Sequence, residues 1–206
     1  MKILIVSATE NEISNFNKQA YPSVDILITG IGIPAAILKL STILSKNKYD
    51  LILNVGISGS FTKTLKIGEI VHVKTELFGD LGFENTNSFI PLSKTNFSKL
   101  QKLAFSNSNT HSIFNSFKQV NGITVNSSSG TSKTIEIRKS LFKADVESME
   151  GAAVFYVCSE NNIPFVQIRS ISNYIEERNP KNWDIPLAIN NLNTELEKIL
   201  NSINKE

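Results

Sequence analysis

The sequence is poor in the residues that cross-link small secreted proteins or bind metals. Its 206 residues include one cysteine, Cys158, and two histidines, His72 and His111. One thiol cannot form an intramolecular disulfide, so the sequence indicates a reducing compartment, and we expect a cytoplasmic protein. The two histidines have no partner at metal-ligand spacing. We therefore expect neither a metal nor a cofactor.

Long apolar runs and dense basic runs are also missing. No uncharged apolar run approaches the roughly 20 residues that a membrane-spanning helix needs. The apolar start of the chain, residues 1–8, is too short for a signal segment and is followed by Glu10 and Glu12. A total of 21 Lys and Arg against 19 Asp and Glu leaves a formal charge of +2, without a basic block. We expect a soluble protein that has neither a membrane nor a nucleic acid as its partner.

The residues that are present follow the pattern of one α/β domain. With 41% hydrophobic residues, the chain can bury one substantial core, and residues 1–206 are predicted to form a single domain. Apolar, β-branched runs alternate with helical segments, which predicts a three-layer α/β/α sandwich around a mixed, mostly parallel sheet. Predicted strands cover residues 2–6, 24–29, 50–55, 68–74 and 163–171, and predicted helices cover residues 35–44, 93–106, 131–139, 149–160 and 186–204.

Polar side chains gather at the predicted strand ends. Ligands of such folds bind there, because loops and helix N-termini converge at that edge of the sheet. The candidate residues are Glu10, Glu12, Ser58, Ser60, Glu147, Glu150, Arg169, Ser172 and Asn173.

Three of these candidates, and one glycine pair, also have an ordinary structural explanation. Glu12 can favour a helix N-terminus, and Glu150 can cap the helix that follows it. Arg169 lies in a predicted core strand, so a carboxylate or an anionic ligand is expected beside it, in a structural or a functional pair. The Gly30-x-Gly32 pair lacks the rest of a nucleotide-binding motif and by itself indicates a tight turn.

Five motifs together resemble the purine nucleoside phosphorylase and nucleosidase superfamily, in order and spacing over nearly the whole chain. They are Ala8-Thr-Glu-Asn-Glu12, Thr29-Gly-Ile-Gly32, Asn54-Val-Gly-Ile-Ser-Gly59, Val146-Glu-Ser-Met-Glu-Gly-Ala-Ala153 and Ile168-Arg-Ser-Ile-Ser-Asn173. Within the superfamily, the chain is similar to the futalosine hydrolase branch. That similarity is carried by Phe78-Gly-Asp-Leu-Gly82, Glu147-Ser-Met-Glu-Gly-Ala-Ala153, Ser172-Asn-Tyr174 and Asn182-Trp-Asp-Ile-Pro-Leu-Ala188.

The resemblance implies cleavage of a nucleoside N-glycosidic bond by water. Such a reaction passes through an oxocarbenium-like transition state while the departing purine gains negative charge. The resemblance implies Glu12 as the general base for water and Arg169 as the group that helps to place that water. It implies that Glu150 holds the ribose hydroxyls. The remaining implied substrate-binding residues are Met149 under the sugar, Gly56, Ser58 and Ser172.

Three departures from the family pattern bear on the substrate and the water. Asn173 stands where adenine-cleaving nucleosidases carry an aspartic acid. An amide can donate to the purine N7 and pair with a 6-oxo group, so hypoxanthine is the expected leaving base and futalosine, of menaquinone biosynthesis, the expected substrate. Ile57 replaces a serine, so any contact to the water must come from Ser58 or from a backbone group. The aromatic platform for the base is unassigned, with Phe155, Tyr174 and Trp183 as candidates.

Other functions remain open at this stage. Phosphorolysis needs cations for the phosphate, and the chain has only three arginines, Arg138, Arg169 and Arg178, so water is the favoured nucleophile. An adenine-type nucleosidase, acting on methylthioadenosine, adenosylhomocysteine or aminodeoxyfutalosine, is a second possibility. A purine nucleoside phosphorylase and a non-catalytic nucleoside-binding protein are the others. The resemblance also implies a homo-oligomer, a dimer or larger.

Overall fold

A computed structural model of the chain describes residues 1–86, 88–99, 103–107 and 111–205. Ten strands and four α-helices lie in these residues. The strands are β1 (Ile3–Ser7), β2 (Val24–Ile28), β3 (Leu51–Ser60), β4 (Ile70–Phe78), β5 (Gly82–Asn85), β6 (Ser88–Pro91), β7 (Ala104–Ser106), β8 (Lys118–Thr124), β9 (Val146–Ser148) and β10 (Phe165–Tyr174). The helices are α1 (Ile33–Leu44), α2 (Ser132–Phe142), α3 (Gly151–Glu160) and α4 (Ile185–Ile203).

The main sheet is mixed and mostly parallel, as predicted. Its strand order is β10-β4-β8-β9-β3-β1-β2, with β7 paired to β4, while β5 and β6 form a separate hairpin. Strand β3 also pairs with β10, so β10, β4, β8, β9 and β3 close into a ring. Among the described residues, five pairings of this sheet are parallel and three are antiparallel.

Side chains of the central strands alternate between the two faces of the sheet, and helices cover both faces, which gives three layers. In β3, Leu51 and Leu53 pack with the buried face of α4, whereas Ile52 packs with α1 and α3. Since successive side chains of a strand point to opposite faces, one continuous apolar run supplies both cores. Helix α4 contributes Leu192, Leu196, Ile199, Leu200 and Ile203 to the first core.

The polar middle of the chain differs from the sequence prediction. A helix was expected over residues 93–106, but the structure has short 3-10 turns at Leu92–Lys94 and Asn96–Lys99 and strand β7 at the end of that range; residues 100–102 lie outside the described part. Strands β8 and β9 were not predicted. Their sequences are short or polar, and they become strands because β4 and β3 supply partners for their backbone groups.

Two wider properties of the described residues bear on function. No helix in this part of the chain is both long and apolar enough to cross a membrane. No group of three or more His, Cys, Asp or Glu residues in the same part is arranged to hold a metal ion.

Candidate functional site

The site lies where β1 and β2 end, beside the middle of β3 and of β10. The parallel registers place Ser7 beside Ile28, and Gly56 beside Arg169. The segments that follow β1 and β2 therefore meet in space. One small cavity there is lined by Val6, Ser7, Ala8, Glu12, Thr29, Asn54, Val55, Glu150 and Arg169.

Glu12 is held by donors on both carboxylate oxygens. Its side chain is buried, and Oε2 accepts hydrogen bonds from Ser7 Oγ at 2.9 Å and from the backbone N–H groups of Ala8 and Thr9 at 3.0 and 3.1 Å. Oε1 accepts one from the Ile57 N–H at 3.1 Å. The segment after β1 contains a single 3-10 turn, Asn11–Ile13, so Glu12 is fixed by this loop rather than by the N-terminus of an α-helix.

Gly56 allows the side chains of Glu12 and Arg169 to approach the same point of β3. A Cβ atom there would lie 2.7 Å from Glu12 Oε1 and 3.3 Å from Arg169 Nη1. Any larger residue would push one of these groups away. The contact to the water, which the sequence assigns to Ser58 or to a backbone group, stays a prediction; the Ile57 backbone N–H donates to Glu12 Oε1. Ser58 Oγ is buried and has no hydrogen-bond partner in the described residues.

Arg169 is buried without a carboxylate in direct contact. Its Nη1 donates to Asn54 Oδ1 at 2.5 Å, and no ion pair with it occurs among the described residues. Burial lowers the pKa of Arg169, and the carboxylates of Glu12, Glu150 and Glu76 oppose that effect. In place of the salt bridge that the sequence suggested, Arg169 has a hydrogen bond to the Asn54 side-chain amide. It also has the longer-range electrostatic attraction of three carboxylates.

Glu150 reaches back to the turn after β2. Its Oε1 accepts the Gly32 N–H at 2.9 Å, and Gly32 has a φ of 94°, which favours glycine. Glu150 precedes α3 but makes no side-chain capping bond to it. Burial raises the pKa of Glu150 and the charge of Glu12 adds to this, whereas the Gly32 N–H and Arg169 act in the opposite direction.

Ser172 and Asn173 lie further along β10, at an irregularity in its pairing with β3 between Ile171 and Asn173. Ser172 Oγ lies 2.8 Å from Asn173 Oδ1, to which it can donate, and Asn173 Nδ2 donates to Tyr174 O at 3.1 Å. Neither residue lines the cavity of Glu12 and Arg169. The amide is half-buried over Gly59, whose added Cβ would lie 3.1 Å from Nδ2.

A buried ion pair holds the loop after β8. Arg138 Nη1 lies 3.1 Å from Glu147 Oε2 and also donates to Ser127 O at 2.8 Å. Ser129 binds the same carboxylate through its N–H at 2.7 Å and its hydroxyl at 2.6 Å. Glu147 and Asn173 both pair with Gly59, from opposite sides. The loop is therefore anchored near the Asn173 end of the site.

Three further sequence candidates lie outside the lining of the cavity of Glu12 and Arg169. Phe155 is fully buried against Phe165 in the core, so it is wrong as a base platform. Trp183 is partly exposed and stacks with the Arg178 guanidinium at 5.0 Å. Met149 is half-buried directly before Glu150.

Sequence reasoning missed several partners of the site. The hydrogen bonds of Asn54 and the Gly32 N–H join residues 115 and 118 positions apart. Nothing local in the sequence marks Asn54, which looks like one polar residue in an apolar strand. The glycine pair at 30 and 32 was a usable signal, because a turn with two positive φ values exposes backbone N–H groups.

A family comparison agrees with the resemblance found in the sequence. The model of the phosphorylase superfamily matches residues 20–204. This span includes Asn54, Glu150 and Arg169 and begins after Glu12.

Solved structures with the same fold include two kinds of nucleosidase. A 5'-methylthioadenosine/S-adenosylhomocysteine nucleosidase of Helicobacter pylori superposes with a TM-score of 0.83 at 18% identity, over 98% of each chain. The futalosine hydrolase of the same organism superposes with a TM-score of 0.81 at 18% identity, over 98% of this chain and 97% of its own. A nucleosidase of Colwellia psychrerythraea, in complex with adenine, gives 0.79 at 20% identity, over 98% and 95%.

Proposed function

We propose, from the premise that this chain belongs to the phosphorylase superfamily, that it is an enzyme that hydrolyses the N-glycosidic bond of a purine nucleoside. The observation that carries the proposal is the constellation of Glu12, Arg169 and Glu150 around one cavity beside β1, β3 and β10. Two carboxylates beside one guanidinium suit a reaction in which positive charge develops on a sugar. The solved nucleosidases of the same fold support this reaction type.

In this proposal, Glu12 activates the water. A carboxylate has about four lone-pair sites, and among the described residues Oε1 accepts only the Ile57 N–H. Oε1 can therefore accept one more hydrogen bond, from water, on the side of Gly56 that Arg169 also approaches. The three strong donors on Oε2 keep the carboxylate from rotating. Arg169 orients the water, and Asn54 orients Arg169.

The arrangement of cations favours water over phosphate. Arg138 is paired with Glu147, and Arg178 is stacked on Trp183. Arg169 is the one cation that lines the described cavity, and two carboxylates share that cavity with it. The net negative charge of this cavity would repel a phosphate dianion, whereas it would not repel a neutral water molecule.

Glu150 binds the ribose in this scheme. Its Oε1 is fixed by the Gly32 N–H, which leaves Oε2 as the acceptor for sugar hydroxyls. Hydroxyl donors prefer an ionised acceptor. The negative charge also favours the oxocarbenium-like transition state over the neutral substrate.

The base site supports futalosine as the substrate. With the Ser172 hydroxyl on its Oδ1 and one amino N–H on Tyr174 O, Asn173 keeps one amino N–H that can donate to a ligand. A 6-oxopurine presents two acceptors on this edge, N7 and O6, whereas adenine presents an acceptor and an amino donor. An amino group at residue 173 therefore favours release of hypoxanthine. The futalosine hydrolase of similar fold supports the same assignment.

The test is a matched incubation of the purified protein with futalosine, with its 6-amino analogue and with methylthioadenosine, followed by chromatography of the released base. We expect hypoxanthine release from futalosine that is independent of added phosphate. Adenine release alone would replace the substrate with that of the adenine-type nucleosidases, whose structures are equally similar. Phosphate-dependent release would replace hydrolysis with phosphorolysis. Nucleoside binding without any release would identify a binding protein.

A further inference from the structure

Glu76 in β4 is a buried carboxyl group that the scheme above does not use. It is 1% exposed. Gln167 Nε2 donates to its Oε1 at 2.6 Å, and Thr124 Oγ1 donates to its Oε2 at 3.0 Å. Well-packed apolar residues can replace buried charged groups without loss of stability. Packing alone therefore does not require a carboxyl group at this place.

The Glu76 carboxyl packs against the backbone that carries Glu150. A Cβ atom added to Gly151, the first residue of α3, would lie 2.5 Å from Glu76 Oε1. Thr124 Oγ1, which donates to Glu76, accepts the Ala152 N–H at 2.7 Å. Glu76 thus contacts the first turn of α3 directly and through Thr124, immediately after the residue proposed to bind the ribose.

Two charged groups of the site act on Glu76. They are Arg169 from β10 and Glu150 from the segment before α3. Burial raises the pKa of Glu76 to about 7, Glu150 adds to this, and Gln167, Arg169 and Thr124 oppose it. Gln167 and Arg169 are two residues apart on β10, so their side chains share a face of the sheet.

We propose that Glu76 is a positioning residue for the glycosidic reaction, which holds the start of α3, and with it Glu150, and adds negative charge behind the ribose site. This inference rests on the proposed function. Both hydrogen-bond partners donate to Glu76, which is the arrangement of an ionised carboxylate. Protonation removes the charge and turns one oxygen into a donor. The favourable interaction with a cationic sugar is then lost.

The experiment compares wild type with Glu76→Gln, Glu76→Asp and Glu136→Gln, the last being an exposed acid of α2. It measures kcat and KM for futalosine from pH 5 to 9, and the Kd of futalosine and of free hypoxanthine by calorimetry. We expect an inflection near pH 7 in the wild-type kcat/KM profile that disappears in Glu76→Gln and persists in Glu76→Asp and in Glu136→Gln. At pH 8, kcat/KM of Glu76→Gln should fall about tenfold, with a raised KM and an unchanged Kd for hypoxanthine.

Each other outcome overturns the inference or separates it from the proposed function. A Glu76→Gln variant with the wild-type profile and KM removes Glu76 from the reaction. Equal weakening of hypoxanthine and futalosine binding indicates a general packing defect and also overturns it. If wild type binds futalosine but releases no base, the proposed function fails, and the two Kd values still decide whether Glu76 positions the ribose carboxylate. A Glu76→Gln variant that is unfolded by circular dichroism leaves Glu76→Asp to decide, since its profile must keep the inflection.

Discussion

At the residue scale, the strongest expectation concerns Glu12. Replacing Glu12 with Gln keeps the volume but removes the proton acceptor, so kcat for futalosine should fall by about 100-fold or more. Nucleoside binding should change little, because Glu150 and Asn173 are intact. Glu10→Gln is the matched control, since Glu10 is exposed and two residues away. Steady-state kinetics and calorimetry decide the matter, and retained turnover would remove Glu12 from the mechanism.

Asn173 provides a second test at this scale. A protonated aspartic acid can donate to N7 and accept from a 6-amino group, whereas the amide amino group cannot accept. Asn173→Asp should therefore shift the ratio of kcat/KM for futalosine over its 6-amino analogue by about tenfold toward the analogue, the effect of one mismatched hydrogen bond. Competition between the two nucleosides in one reaction measures this ratio. An unchanged ratio would place base recognition elsewhere.

At the element scale, α4 is the test of how the layers are held together. Leu196 is 1% exposed in the core between α4 and the sheet. Truncation to Ala leaves a cavity and should lower the free energy of unfolding by about 2–5 kcal/mol. Thr194→Ala, on the exposed side of the same helix, should change it by less than about 0.5 kcal/mol. Urea denaturation of both variants measures the difference, and equal effects would contradict this packing.

Helix α4 also fixes the site from a distance. Asn193 Nδ2 donates to the backbone carbonyl of Glu12 at 2.9 Å, so the core helix and the loop of the general base are joined. Leu196→Ala can therefore lower activity without contacting the substrate.

At the scale of the whole molecule, stability should depend on pH through Glu76. Burial raises its pKa from 4.5 to about 7, so the folded protein binds this proton more tightly than the unfolded chain. The contribution of this protonation to the free energy of unfolding is at most about 3 kcal/mol. It is fully present below pH 4.5 and is lost as the pH rises through 7. Wild type should lose more stability than Glu76→Gln between pH 5 and 8. Thermal unfolding of both proteins across this range measures the difference, and parallel curves would exclude a raised pKa.

The assembly expected from the family resemblance is a second property of the whole molecule. Several large apolar side chains are exposed on the chain, among them Ile31 and Leu38 at 64% and 67% and Phe83 at 46%. We expect a dimer or larger in solution, and light scattering coupled to size-exclusion chromatography measures the mass. A monomer at micromolar concentration would contradict the expectation.

Much of the fold and part of the site were predictable because they depend on patterns of residues that are close together in the sequence. Apolar runs such as Leu51–Val55 mark buried strands whatever lies beside them, and glycines at 30, 32 and 56 mark close approaches of the backbone. The motifs around Glu12, Glu150 and Arg169 predicted that these residues lie together at the ends of the strands; they do line one cavity, but Arg169 lies in the middle of β10, which continues to Tyr174.

Tertiary structure alone decided which groups complete the site. Asn54 on Arg169, the Ile57 N–H on Glu12 and the Gly32 N–H on Glu150 are contacts between distant segments. Their geometry depends on strand register, and a shift of one residue moves a side chain to the other face of the sheet. Glu76 is likewise buried beside the start of α3 because β4 pairs with both β8 and β10. No local pattern in the sequence predicts these pairings.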